Sequence, residues 1–172
     1  MTDLATTHIA QTYLGNQLQN PQLAQRLTTA SPMEVTLEPS DRVKGRIYAQ
    51  TTEGETVGII KERHWSLAEG DVFQTAEGQL LLIHLQPQTV MVLQLTQPVS
   101  ENALALIHLG HTLGNHHWPI LIETDKIYIQ LAGDQTVIEQ TLQDFEIPGL
   151  AISYELRSPR QYLNFSSHHH HP

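Results

Sequence analysis

From Thr89 to Leu156 the hydrophobic period alternates between that of a strand and that of a helix. The order it spells is strand, helix, strand, strand, helix, strand. Thr89-Val90-Met91-Val92-Leu93-Gln94-Leu95 is an apolar, β-branched run. Pro98-Val99-Ser100 breaks it. Ser100 is predicted to cap a helix, with Glu101 in the first turn complementing the helix dipole. Leu104, Ile107, His108 and His111 follow at helical spacing, and Ala103, Leu106 and Leu113 widen that apolar face. Gly114-Asn115 is the predicted stop, because both residues tolerate the left-handed conformation. Strands are expected over Pro119–Glu123 and Lys126–Leu131. Asp134 is expected to cap a second helix through Val137, Ile138, Leu142 and Phe145. Pro148-Gly149 turns the chain into a last strand, Leu150–Leu156. This βαββαβ order is the ferredoxin-like pattern, an antiparallel sheet with both helices on one face.

The preceding residues have another texture. Short apolar runs such as Val35/Leu37, Thr56–Ile60 and Leu80–Leu85 are separated by the turns Thr51–Glu55, Glu69-Gly70-Asp71 and Glu77-Gly78. Val43, Arg46, Ile47 and Tyr48 fit a further extended segment. Turns at this frequency predict a small all-β domain over residues 33–86. Residues 1–32, rich in Gln, Thr and Asn, read as a poorly specified extension, with Leu23 and Leu27 able to support a short helix. The fold class expected is therefore α+β: a small all-β N-terminal domain, a ferredoxin-like domain over 87–156, and a flexible histidine-containing tail over 157–172.

Composition narrows the function. The net charge is −9 with only nine Lys and Arg, so nucleic acid and anionic membrane are not expected partners. No apolar run reaches the roughly 18 residues of a transmembrane helix. Met1-Thr2-Asp3-Leu4 lacks the basic start of a secretory signal, which predicts a cytoplasmic location. The chain has no cysteine, so thiolate metal sites and disulfides are excluded. No phosphate-binding Gly loop, Ser-His-Asp pattern or H-E-x-x-H is present, and no enzyme activity is expected.

Histidine is the residue type that stands out. Three of the eleven fall between His111 and His117, and four more run from His168 to His171. Imidazole is a borderline ligand for nickel, zinc and copper. His108 and His111 lie one helical turn apart and can chelate one ion. They can equally fill a half-buried helix face or complement the helix end. His116 and His117 enter a strand, where neighbours point to opposite faces. One alone is a weak ligand, whereas two copies across a two-fold axis supply a site. The run His168, His169, His170, His171, closed by Pro172, is shorter than a purification tag and reads as a native capture tail. His84, inside an apolar strand, reads as a satisfied face histidine.

These residues resemble the UreE-type urease accessory proteins, the nickel metallochaperones of urease maturation. Their Leu-Gly-Asn-x-His-x-Pro element stands here as Leu113-Gly114-Asn115-His116-His117-Trp118-Pro119. Asp41-Arg42 to Arg46, Gly58 and the Glu69-Gly70-Asp71 turn are similar to the family's β-rich domain. The resemblance implies that His117 from each protomer of a homodimer holds Ni2+ on the two-fold axis; His111 or His116 are this chain's own candidates to substitute for the family's further histidines. Zn2+ or Cu2+ are the ions expected to substitute in vitro. It also implies delivery through the urease accessory GTPase and its complex with apo-urease, and a docking or peptide-binding role for residues 33–86. Thr112 and Gly133-Asp134-Gln135-Thr136 stand where many members carry further histidines, so secondary sites of that kind are not expected. The alternative is a zinc- or copper-buffering or metal-responsive adaptor protein unrelated to urease.

Overall fold

The structure, a computed structural model, describes residues 7–98, 100, 102–131 and 134–165. Two compact units divide it. The first comprises the described residues up to Pro87 with Ser158–Arg160, and the second Gln88–Arg157 with the described residues from Gln161 onward. The class is α+β.

The first unit contains β1 (Thr7–Asn16), α1 (Pro21–Ala30), β2 (Met33–Leu37), β3 (Arg46–Gln50), β4 (Thr56–Ile60), β5 (Asp71–Thr75) and β6 (Leu80–Leu85). They form one mixed sheet in the order β2-β6-β5-β1-β4-β3. Two expectations are corrected here. Over residues 7–32 the chain is not a loose extension: β1 lies inside the sheet, parallel to β4 and antiparallel to β5. The unit is also not all-β, because α1 packs Leu23 and Leu27 onto Val72, Leu80 and Leu82. Helix α1 has local causes. Asn20 accepts from the Gln22 and Leu23 N–H groups, Pro21 occupies the first turn, and Ser31 closes it in the left-handed region at φ 45°. Strand β1 is hard to read because its buried positions include His8, Ala10 and Asn16 rather than large apolar residues. Register shifts between Ala10 and Thr12 and between Tyr13 and Gly15 break its alternation as well. Val43, expected in a strand, ends a 3-10 turn over Pro39–Val43.

The second unit contains β7 (Gln88–Leu95), α2 (Ala103–Asn115), β8 (Ile120–Ile122), β9 (Lys126–Gln130), α3 (Gln135–Gln143) and β10 (Leu150–Arg157). The strand order is β10-β7-β9-β8, and every pairing is antiparallel. Both helices bury residues against one face: Leu109 and Leu113 of α2, Ile138 and Leu142 of α3, and Met91, Leu93 and Ile129 of the sheet. Each such side chain contributes roughly 1.5–3 kcal/mol on burial. Asp134 caps α3 by accepting from the Thr136 N–H at 2.9 Å. The Pro148-Gly149 turn needs glycine twice over. Its φ is +78°, and a Cβ there would stand 2.8 Å from Gln97 Cβ.

Three further expectations differ. The residue before α2 is Asn102, without a side-chain cap, rather than Ser100; Glu101 lies outside the described residues. The inward face of α2 is not that of Leu104 and Ile107, which are 83% and 70% exposed. This helix is apolar on more than one side, so spacing alone admits two registers, and packing against Ile129 and Ile138 selects Leu109 and Leu113. Finally, the chain after β10 is not a free tail as far as Phe165. Gln88 and Leu163 exchange two hydrogen bonds, at 3.4 and 2.9 Å. Leu163 and Phe165 pack against Val90, Val92 and Tyr128 on the helix-free face of the sheet. His168–His171 lie outside the described residues.

Replacing Leu163 and Phe165 together by serine should therefore lower unfolding free energy by about 2 kcal/mol. Urea denaturation checks this, and an unchanged midpoint would restore the free-tail reading.

Candidate metal centre

The end of α2 is a reversal in which backbone geometry and imidazole chemistry meet. The helix does not stop at Gly114-Asn115 but runs through Asn115, with His116 still right-handed. The left-handed residue is His117, at φ 53°. The His117 N–H donates to the Gly114 carbonyl at 3.0 Å, and the Trp118 N–H to the Leu113 carbonyl at 3.3 Å. That pair of bonds is the Schellman closure, whose left-handed position is usually glycine or asparagine. Trp118 then packs against the cluster that contains Leu113, the apolar contact such closures favour. Because β8 begins only at Ile120, His116 and His117 are not the alternating strand residues that the sequence suggested.

The imidazoles here have few partners. His116 lies flat on the Trp118 ring, with centroids 4.3 Å apart and planes 9° apart. Asn115 Nδ2 donates to His111 Nε2 at 3.0 Å, the geometry of an imidazole carrying its proton on Nδ1. His108 meets the edge of Phe145 at 5.0 Å and does not pair with His111. The His117 side chain is exposed. Among the described residues it has no hydrogen bond, ion pair or ring contact. His116 and His117 follow the last turn of α2 and His111 lies about one turn before its end, where the negative end of the helix dipole favours cations. No group of three or more His, Asp or Glu side chains able to hold an ion occurs among the described residues. The contacts of Asn115 and Trp118 escaped the sequence reading, although the i, i+4 spacing of His111 and Asn115 was available as a signal.

The histidines of the first unit are in different company. His8 Nε2 lies 3.3 Å from a Glu55 oxygen, and His64 Nδ1 lies 2.9 Å from Glu62. His84 Nδ1 meets Glu69 at 2.8 Å and its Nε2 meets Glu34 at 3.4 Å. The two carboxylates approach opposite ring nitrogens, so this trio binds a proton and not a chelated ion. Partial burial pulls the His84 imidazole down, but the hydrogen bonds and charges of Glu69 and Glu34 outweigh it and raise its pKa.

Residues 88–172 match the family described as UreE urease accessory protein, C-terminal domain. The chain belongs to the UreE urease accessory family. It is 31% identical over 133 residues to the urease accessory protein UreE of Natronomonas pharaonis, covering 75% of this chain and 62% of that protein. The UreE of Edwardsiella ictaluri is 28% identical over 148 residues, covering 83% and 66%. That of Yersinia intermedia is 29% identical over 136 residues, covering 76% and 60%. The matches thus span somewhat under two thirds of these curated relatives. No described helix is long and apolar enough to cross a membrane.

Two outcomes follow from the geometry. His117→Gly should stabilise the chelator-treated protein by about 1 kcal/mol relative to His117→Ala, because only glycine adopts the left-handed position without a Cβ clash. Equal urea midpoints for the two variants would show that His117 is unstrained. For His84, the raised folded pKa means that its stabilisation is full below the unfolded value of about 6.5 and is lost as pH rises through the folded value. His84→Gln should flatten that decline in a pH series of unfolding midpoints, and an unaltered slope would assign the decline to other groups.

Proposed function

We propose that this protein is a nickel metallochaperone that acts as a homodimer and delivers Ni2+ to the urease maturation complex. In this reading the second unit is a ferredoxin-like metal-binding domain. Its ligand is His117 from each protomer, with His111 and His116 beside it. His168, His169, His170 and His171 capture nickel from solution. The first unit docks a partner, the accessory GTPase in its complex with apo-urease. The setting is the cytoplasm.

The observation that carries the proposal is the His117 imidazole. It is exposed at the negative end of α2, has no partner among the described residues, and sits in a chain of the UreE family. One imidazole is a weak ligand. A second copy related by a two-fold axis duplicates it. The exposed α2 face supports such pairing, since Leu104 and Ile107 present large apolar side chains to water and precede His111 at helical spacing. Covering them removes apolar area from water while bringing two helix ends together. Neutral imidazole donates a lone pair to the metal and imidazolium has none, so acidification favours release. A site made of a few imidazoles and water holds its cargo for transfer rather than permanently.

A nickel titration with mass determination tests this on chains ending at Ser167. One tightly held nickel per two chains is expected, and His117→Ala should abolish it while leaving the fold intact. Undiminished affinity in that variant would overturn the axis site.

A further inference from the structure

The first unit carries a surface that nickel binding does not use. Of the nine Lys and Arg residues in this acidic chain, five fall between Arg42 and Arg63. Lys44, Arg46 and Arg63, with Val43 and Ile60, line an open concavity of about 870 Å³. Next to it lies a second of about 840 Å³, formed by Tyr13, Trp65 and Phe73. The two share Ile60, Lys61 and Glu62, so they adjoin at the end of β4 and are taken together as one groove.

The cations differ in availability. Lys44 Nζ is paired with Asp41 at 2.5 Å. Lys61 Nζ donates to the Trp65 and Glu62 carbonyls and lies 4.9 Å from the Trp65 ring centroid. Both are occupied. Arg46 and Arg63 are exposed and have no hydrogen bond or ion pair among the described residues. Arg63 is nonetheless placed: its Cγ packs where a Cβ on Gly45 would stand, 2.9 Å away. Glu62 contributes one carboxylate to the groove, and its Oε2 lies 2.9 Å from His64.

The aromatic half is rigid. Tyr13 meets Trp65 at 4.9 Å and Phe73 at 5.4 Å, and Trp65 lies nearly parallel to Phe73 at 6.2 Å. The Tyr13 hydroxyl donates to the buried Asp71 carboxylate, which also accepts from Asn16 and the Ala68 N–H. Tyr48, 75% exposed on β3, extends the apolar area over Gly58. Preset aromatic rings beside unpaired guanidiniums are the composition of protein-binding hot spots.

We infer that this groove docks an acidic segment of a partner protein. Its carboxylates pair with Arg46 and Arg63, and an aromatic or leucine anchor lies on the Tyr13–Trp65 shelf. Guanidinium forks match carboxylates in geometry as well as charge. Two free guanidiniums flanked by Glu62 and Asp41 are too few for a nucleic acid, which needs an extended basic track. The inference rests on the docking role proposed for the first unit and gives that role its chemistry.

The test is a peptide array of roughly twelve-residue sequences, acidic, basic and neutral, with and without one Phe or Leu, probed with the full chain. Acidic peptides carrying the anchor should bind. Arg46→Glu/Arg63→Glu should weaken the best of them at least about tenfold, the combined loss of two exposed ion pairs, and move preference toward basic peptides. Arg46→Lys/Arg63→Lys should retain the preference with lower affinity. Amide shifts on adding the best peptide should centre on β3 and residues 60–65. No acidic preference, an identical profile in the Glu variant, or binding matched by heparin without any need for the anchor would each overturn the inference. Nickel uptake by the same preparations separates the two readings. Lost peptide selectivity with intact uptake overturns the groove alone, and absent uptake with intact selectivity overturns the metal carrier alone.

Discussion

The second unit depends on how α2 ends. The Trp118 N–H reaches back to the Leu113 carbonyl, and the Trp118 ring joins the core beside Leu113. This turn sends the chain toward β9, where the Gln130 N–H meets the Pro119 carbonyl and Ile120 pairs with Ile129. The reversal demands a left-handed residue at position 117. Glycine or asparagine meets that demand with least strain, yet histidine stands there. The imidazole is held in a conformation about 1 kcal/mol above what glycine would need. Ser31 and Glu146 break the same rule; what distinguishes His117 is an exposed imidazole with no partner among the described residues.

The contrast between the two sets of histidines strengthens this point. His8, His64 and His84 each lie beside a carboxylate in the first unit. For His84, Glu69 and Glu34 favour the protonated ring, which is unavailable to a metal. In the second unit His108, His111 and His116 contact Phe145, Asn115 and Trp118, all uncharged, and His117 contacts none of the described side chains. The histidines of the first unit thus lie beside acids, and those of α2 and the turn after it beside uncharged groups.

Much of the second unit was legible because its signals are local and strong. Asp134, Gly149 and the β-branched run of β7 each specify their own element through a cap, a turn or a pattern of burial. What escaped depends on contacts distant in sequence. Strand β1 buries His8, Ala10 and Asn16, so no apolar alternation announces it. Its place in the sheet is set by pairing with β4 and β5. Leu163 and Phe165 sit in a stretch without period and become ordered only because Val90 and Val92 expose an apolar face to cover. The inward face of α2 was ambiguous for the opposite reason, since Leu104, Ile107, Leu109 and Leu113 offer more apolar residues than one face holds. At the candidate centre, the histidines themselves were visible. The left-handed backbone at His117 was not, because local conformational preference assigns that role to Gly114 or Asn115.

The charge distribution bears on whether one chain can both attract a divalent cation and hold an acidic segment. A net charge of −9 draws metal ions and repels acids at long range. At physiological ionic strength, however, the field of exposed charges decays over about 8 Å. Within that distance an approaching peptide meets the guanidiniums of Arg46 and Arg63, while Asp41 and Glu62 are engaged with Lys44 and His64. Local composition therefore governs the groove, and the remaining acidic surface governs the cation. Raised salt should weaken the salt-bridged part of peptide docking, since exposed ion pairs are screened. It should leave the aromatic shelf contact largely unaffected, because apolar burial does not depend on charge.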